Sequence, residues 1–183
     1  KEKTKTPERA LRLWFWLFAA ACLIAAVAMP DRAAMLAGLK RICVLPYQSA
    51  NPYFAAENGG FAGTFLNAAL FAQLRGGLLL PGSKPDGVSV LAFFLTAGFC
   101  FWGTTILNIW FSFAGVLVYC LAMKKKPGAM ANAFLFSTGL APLITEMLFR
   151  YPGEAWRGFT GLGIVLALAV GVFIGFLFPA VLP

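Results

Sequence analysis

Glu146 is the only acidic residue in the apolar stretch that runs from Ala131 to Phe149. An ionisable group at membrane depth is costly unless paired, so it marks a functional position by default, here one suited to proton or cation coupling. Two amides lie in other apolar runs, Asn67 in Gly63-Thr64-Phe-Leu-Asn67 and Asn108 in Gly103-Thr104-Thr105-Ile-Leu-Asn108. With the hydroxyls of Thr64, Thr104, Thr105, Thr138 and Thr145 they form a set that both donates and accepts hydrogen bonds. Such a set suits a neutral hydrogen-bonding solute or a partly dehydrated cation. The same residues have a plainer reading. Asn in a membrane helix is often interhelical glue, and Glu146 has Arg150 one helical turn later as a partner.

Other chemistries lack their residues. The chain has no His, and its four cysteines, Cys22, Cys43, Cys100 and Cys120, are isolated in sequence. Zinc, haem and iron–sulfur ligation therefore lack their usual ligands, and no metal or other cofactor is expected. No nucleophile stands beside a base and no Lys lies inside an apolar run, so an enzyme is not expected.

The elements that position these residues follow from composition. The 183 residues are 60% hydrophobic and 12% charged, against about 25% charged in a soluble domain. The charges cluster between long apolar runs, which describes an all-α, polytopic transmembrane bundle. The net charge of +8 sits at the ends of those runs, where Lys and Arg set topology. It forms no aromatic-interleaved patch of the kind that binds nucleic acid.

A span needs roughly 20 apolar residues. Leu11–Met29 fits; its Ala26-Val27-Ala28 end resembles a signal-peptide cleavage site, but its length and Trp14 and Trp16 favour a retained helix. Gly60–Leu74 is a shorter second span that continues toward Leu80. Val88–Met123 would reach about 54 Å as one helix, so it divides near Gly103-Thr104-Thr105 into two spans joined by a tight outer turn. Met130–Phe149 and Gly158–Leu182 complete about six spans. Pro81–Gly87 and Lys124–Gly128 read as turns. The segment 30–59 is too short in apolar residues to cross and reads as interfacial or re-entrant. Ser137-Thr138-Gly139-Leu140-Ala141-Pro142 reads as a broken helix near 138–142, or as a proline kink in a packed one.

With the N-terminus inside, ten Lys and Arg fall on the inner segments and five on the outer ones, which the positive-inside rule favours. Helical rise then puts Asn67 about 10 Å, Asn108 about 6 Å and Glu146 about 5 Å from the outer face. Gly163, Ala167, Gly171 and Gly175 form a ridge of small residues on the last span. Such a ridge lets another helix approach, from the same chain or from a neighbouring subunit.

Three stretches carry a family resemblance: Gly60-Phe-Ala-Gly-Thr-Phe-Leu-Asn-Ala-Ala-Leu70, Gly103-Thr-Thr-Ile-Leu-Asn-Ile-Trp110 with Gly115–Tyr119, and Phe136-Ser-Thr-Gly-Leu-Ala-Pro-Leu-Ile-Thr-Glu146. In order and spacing they resemble an uncharacterised bacterial family of multi-pass membrane proteins known as a domain of unknown function. The resemblance covers about residues 55 to 180 and contains no catalytic motif. The family often has a Lys-Asn pair where this chain has Thr104-Thr105, which puts a charge-dependent role there in doubt. Its members are longer than this chain, which implies that the single domain of residues 1–183 is an N-terminal half completed by a second. The half-plus-half layout is similar to that of urea-transporter-like channels, an analogy of organisation alone.

The sequence therefore predicts a channel or transporter for a small polar solute or ion in the bacterial inner membrane, with a cytoplasmic N-terminus. Asn67, Asn108 and Glu146 line its path, assisted by Thr64, Thr104 and Thr138. Its partners are the lipid bilayer, the solute, and further copies of the chain or a second homologous half, with no nucleic acid. The alternative is a structural or assembly subunit without transport activity.

Overall fold

The long apolar runs form helices in the computed structural model, which describes residues 5–45, 53–74, 84–153 and 155–181. In order these are α1 (Lys5–Ala28), α2 (Met35–Val44), α3 (Gly60–Gln73), α4 (Gly87–Phe99), α5 (Ile109–Ala122), α6 (Ala131–Ser137), α7 (Ala141–Phe149) and α8 (Gly161–Val181), with no strand among the described residues. The expected run of the second span beyond Leu74, the first residues of the turn at Pro81, and residues 46–52 of the 30–59 segment lie outside the described residues.

Three helical stretches are long and apolar enough to cross a membrane: Glu8–Ala28, Pro127–Phe149 and Gly161–Val181, of 21, 23 and 21 residues. Their outward faces are apolar as well, with Trp14 62%, Ile24 69% and Phe173 67% exposed. Water would penalise such a surface, whereas lipid would not, so the fold points to a membrane location. α4 and α5 are apolar but only 13 and 14 residues long, about 20 Å each. Neither alone covers a hydrocarbon core of about 30 Å.

Local sequence explains where these helices start. Asp86 is the N-cap of α4; its Oδ1 accepts from the Ser89 N–H and from Ser89 Oγ, both at 2.8 Å. The carboxyl is held below its ordinary 3.8, first by the Ser89 N–H and then by the hydroxyl. The unfolded chain therefore takes up this proton before the folded one does. The cap's contribution is complete above the ordinary carboxylate range and is lost as pH falls through the lowered folded value. Asp86→Ala is expected to cost about 1 kcal/mol at pH 7. Thermal melts of the two proteins in detergent should converge as the pH is taken well below 4 (on the order of the ordinary carboxylate pKa).

At α3 the cap comes from a distance: both carboxylate oxygens of Asp31 lie 3.2 Å from the Ala62 N–H. Gly60, at φ +65, turns the chain into this helix, and a Cβ there would strike Asp31 Oδ2. The break expected near 138–142 is present. α6 ends at Ser137, a 3-10 turn covers Thr138–Leu140, and Pro142 sits in the first turn of α7. Proline is pre-organised for that place, where its missing N–H costs nothing. It starts a helix here instead of kinking one.

Packing gathers the helices into one core with two regions. α1 lies along α3 and buries Phe15, Ala19, Cys22 and Ala26, so it is a wall of the bundle. Phe15 meets Phe93 of α4, and Phe113 of α5 meets Phe134 of α6. The second region joins Ile144, Leu148 and Phe149 of α7 to Ala167 and Ile174 of α8. α2 packs on α3 through Gly38 and Ile42, and its Arg41 Nε donates to the Asn58 carbonyl at 2.7 Å. The small-residue ridge of α8 faces inward. A Cβ on Gly171 or Gly175 would meet α5, and one on Gly163 would meet α7. That ridge is therefore an internal seam, which decides between the two uses the sequence left open.

Candidate functional site

A helix end leaves carbonyls or N–H groups without intrahelical partners. Between Phe99 and Ile109 two such ends meet, and the turn that joins them buries Gly103, Thr104, Thr105 and Asn108 while Trp102 stays exposed. Thr104, Thr105 and Asn108 are each no more than 1% exposed. Every backbone polar group here needs a protein partner, because an unmade bond to a buried group costs about 1–3 kcal/mol.

Asn67, seven residues into α3, supplies three of them. Its Nδ2 donates to the carbonyls of Cys100 and Thr104, both at 2.9 Å, and its Oδ1 accepts from the Ile106 N–H at 2.9 Å. Asn108 closes the turn from within. Its Oδ1 accepts from the Thr105 N–H at 2.9 Å, and its Nδ2 donates to the Gly103 carbonyl at 2.7 Å. The same Nδ2 donates to Thr145 Oγ1 of α7 at 2.8 Å.

The second interrupted element completes the junction. Thr104 Oγ1 donates to the Thr138 carbonyl at 3.2 Å, inside the 3-10 turn between α6 and α7. Thr138 Oγ1 returns to the Leu135 carbonyl at 2.6 Å. Two helix breaks, 100–108 and 138–140, are thus stitched together through side chains and backbone.

The structure brings Asn67, Asn108, Thr104 and Thr138 into one cluster with Thr105 and Thr145. Thr64 lies one turn from Asn67 on α3, with its hydroxyl donating to the Gly60 carbonyl at 2.6 Å. Glu146 stands apart. Successive helical residues point about 100° from each other, so with Thr145 turned into the junction its neighbour is turned away. Glu146 Oε2 accepts from Arg150 Nη1 at 3.2 Å, with side chains 22% and 48% exposed respectively. An exposed pair of this spacing is worth about 0.3–0.5 kcal/mol.

Two contributors escaped sequence reasoning. The Tyr53 N–H donates to the Phe101 carbonyl at 3.1 Å, and its phenol oxygen hydrogen-bonds the Gly103 backbone. Burial pushes the Tyr53 phenol above its ordinary range. Cys43 of α2 reaches Thr105 and Leu107. Nothing local in the sequence aims the Tyr53 phenol at Gly103.

The junction contains no carboxylate or ammonium, and its chemistry is hydrogen bonding. In the conformation described, the two amides direct both their oxygen and their nitrogen at protein groups. Among the described residues no set of three or more His, Cys, Asp or Glu is placed to hold a metal ion.

A family model described as "Protein of unknown function (DUF1576)" matches residues 31–182. No curated protein and no solved structure matches the chain.

Proposed function

The chain belongs to the DUF1576 family of proteins of unknown function, and from that premise we propose a channel or transporter for a small polar solute or ion. The observation that supports this is the meeting of two interrupted helical elements at a buried polar junction within an apolar bundle. Discontinuous helices are a recurrent way to place partial charges and free backbone groups inside a membrane. Asn67, Asn108, Thr104 and Thr138 form the gate, with Thr64 on its approach. Glu146 and Arg150 stand beside the mouth. The conformation described is the closed one, in which the gate's donors and acceptors satisfy each other. A hydrogen-bonding solute replaces those internal partners as the breaks part.

On this reading the protein is a multi-pass component of a bacterial inner membrane with a cytoplasmic N-terminus. It works as an oligomer or with a second homologous half. The saturation of both amides also favours a second reading, an assembly subunit in which the junction only holds two broken helices together.

Proteoliposome flux and thermal shift with a panel of small polar solutes and ions separate the two. Under the transport reading one solute raises the melting point and crosses protein-containing vesicles faster than empty ones. Occupancy at 100 times Kd stabilises by about 2.7 kcal/mol. Thr104→Val, which is nearly isosteric and removes one buried hydrogen bond at a cost of about 1 kcal/mol, should alter flux while the protein stays folded. Glu146→Gln should change the dependence on pH or cation. A panel that moves neither melting point nor flux removes the transport reading and leaves the assembly one.

A further inference from the structure

The bundle has a second polar feature, far along α4 from the junction. A cavity of about 420 Å³ opens where α4 and α6 begin, lined by Lys84, Asp86, Ser89, Lys126, Gly128 and Asn132, among others. Its charges are unevenly committed. Asp86 turns its carboxylate to the Ser89 N–H and hydroxyl, and Ser89 Oγ is also 2.9 Å from Asn132 Oδ1. The Asn132 side chain also hydrogen-bonds the Asp86 carboxylate. Neither Lys84 nor Lys126 has a carboxylate within ion-pair distance among the described residues, where the one such pair is Arg150 with Glu146.

The backbone holds Lys126 in place. After α5 the chain turns through Lys124 at φ +52, with the Lys125 N–H bonded to the Cys120 carbonyl at 2.9 Å. Lys126 is then extended, and Pro127 begins the 3-10 turn that leads into α6. A non-glycine residue in the left-handed region is disfavoured unless its surroundings fix it, so the presentation of this lysine is built in. Two lysines without a carboxylate partner line a cavity whose own carboxylate and amide are already engaged with each other and with Ser89. A compact anion with several acceptor oxygens meets that demand best.

We propose that this cleft binds a phosphate group, presented either by an anionic phospholipid head group or by a soluble phosphate. Basic pockets between helices at a membrane face bind lipid phosphates in this way. The exposed Val88 and Leu91 lead along α4 away from the cleft, on the course an acyl chain would take. The site is independent of what crosses the bundle, and its test does not use flux.

The test is thermal shift and direct binding on the detergent-purified protein. The probes are short-chain phosphatidylglycerol, phosphatidylcholine of the same chain length, and inorganic phosphate. Wild type is compared with Lys84→Gln/Lys126→Gln and with Lys124→Gln/Lys125→Gln, which removes equal charge beside the cleft. Affinity should fall about fivefold per cleft lysine removed and much less in the neighbouring variant. Stabilisation by phosphatidylglycerol beyond phosphatidylcholine, lost in the cleft variant, identifies the lipid source. Stabilisation by inorganic phosphate, lost in the same variant, identifies the soluble one. The proposal is overturned if neither probe binds, if binding survives the cleft variant, or if both lysine pairs contribute equally.

Discussion

Asn67→Leu is expected to lower stability by about 3 kcal/mol or more. The side chain that replaces it fills a similar volume but leaves the carbonyls of Cys100 and Thr104 and the N–H of Ile106 without their bonds. At about 1–3 kcal/mol for each buried group left unmade, the loss is about 3 kcal/mol or more. That is a large part of the 5–15 kcal/mol typical of a folded domain (an order-of-magnitude range). Asn67→Asp tests the same bonds by polarity instead of shape. An ionised carboxylate accepts only; it keeps the Ile106 N–H but faces two carbonyl oxygens it cannot satisfy. Both variants should melt well below wild type in detergent. A wild-type melting point for Asn67→Leu would mean that other contacts hold the break.

Gly175→Leu is the second. α5 and α8 share the closest approach between helices that these glycines describe. A Cβ on Gly175 would collide with the Ser112 carbonyl, and it would lie 2.8 Å from the Val116 nitrogen and 2.9 Å from Gly115 Cα. These neighbours are backbone, which moves only with the whole helix. Gly175→Ala is expected to cost about 1–3 kcal/mol by overpacking, and Gly175→Leu to prevent a folded, monodisperse protein. Gly98→Ala is the matched control, because no atom lies within 4 Å of a Cβ at that helical position. There alanine should be neutral or stabilising by up to about 1 kcal/mol. If Gly98→Ala and Gly175→Ala behave alike, the seam is not sterically closed.

The two changes show how much could be read in advance. The ridge at Gly163, Ala167, Gly171 and Gly175 is visible as a four-residue repeat, since four residues return to nearly the same side of a helix. Its partner is not visible, because Phe111 and Ser112 carry no mark that they face it. The break at Thr138–Leu140 was legible from Gly139 and Pro142, whose backbone preferences are local. The interruption at 100–108 was legible from Gly103-Thr104-Thr105, but its burial was not, because that run looks the same whether water or protein covers it. Tyr53 is part of that cover and belongs to a distant segment.

What the sequence by itself determined is the all-α fold, the apolar outer surface and the identity of the polar groups inside it. Those depend on composition and on the length of each apolar run, which each segment carries alone. What only the tertiary structure decided is which polar groups meet. Asn67 finds its partners 33, 37 and 39 residues away, Asn108 reaches Thr145 across 37, and Glu146 is turned aside toward Arg150 by one residue's rotation about α7. A hydrogen bond requires two atoms within about 3 Å, and that distance is set by how helices pack, which no single helix encodes.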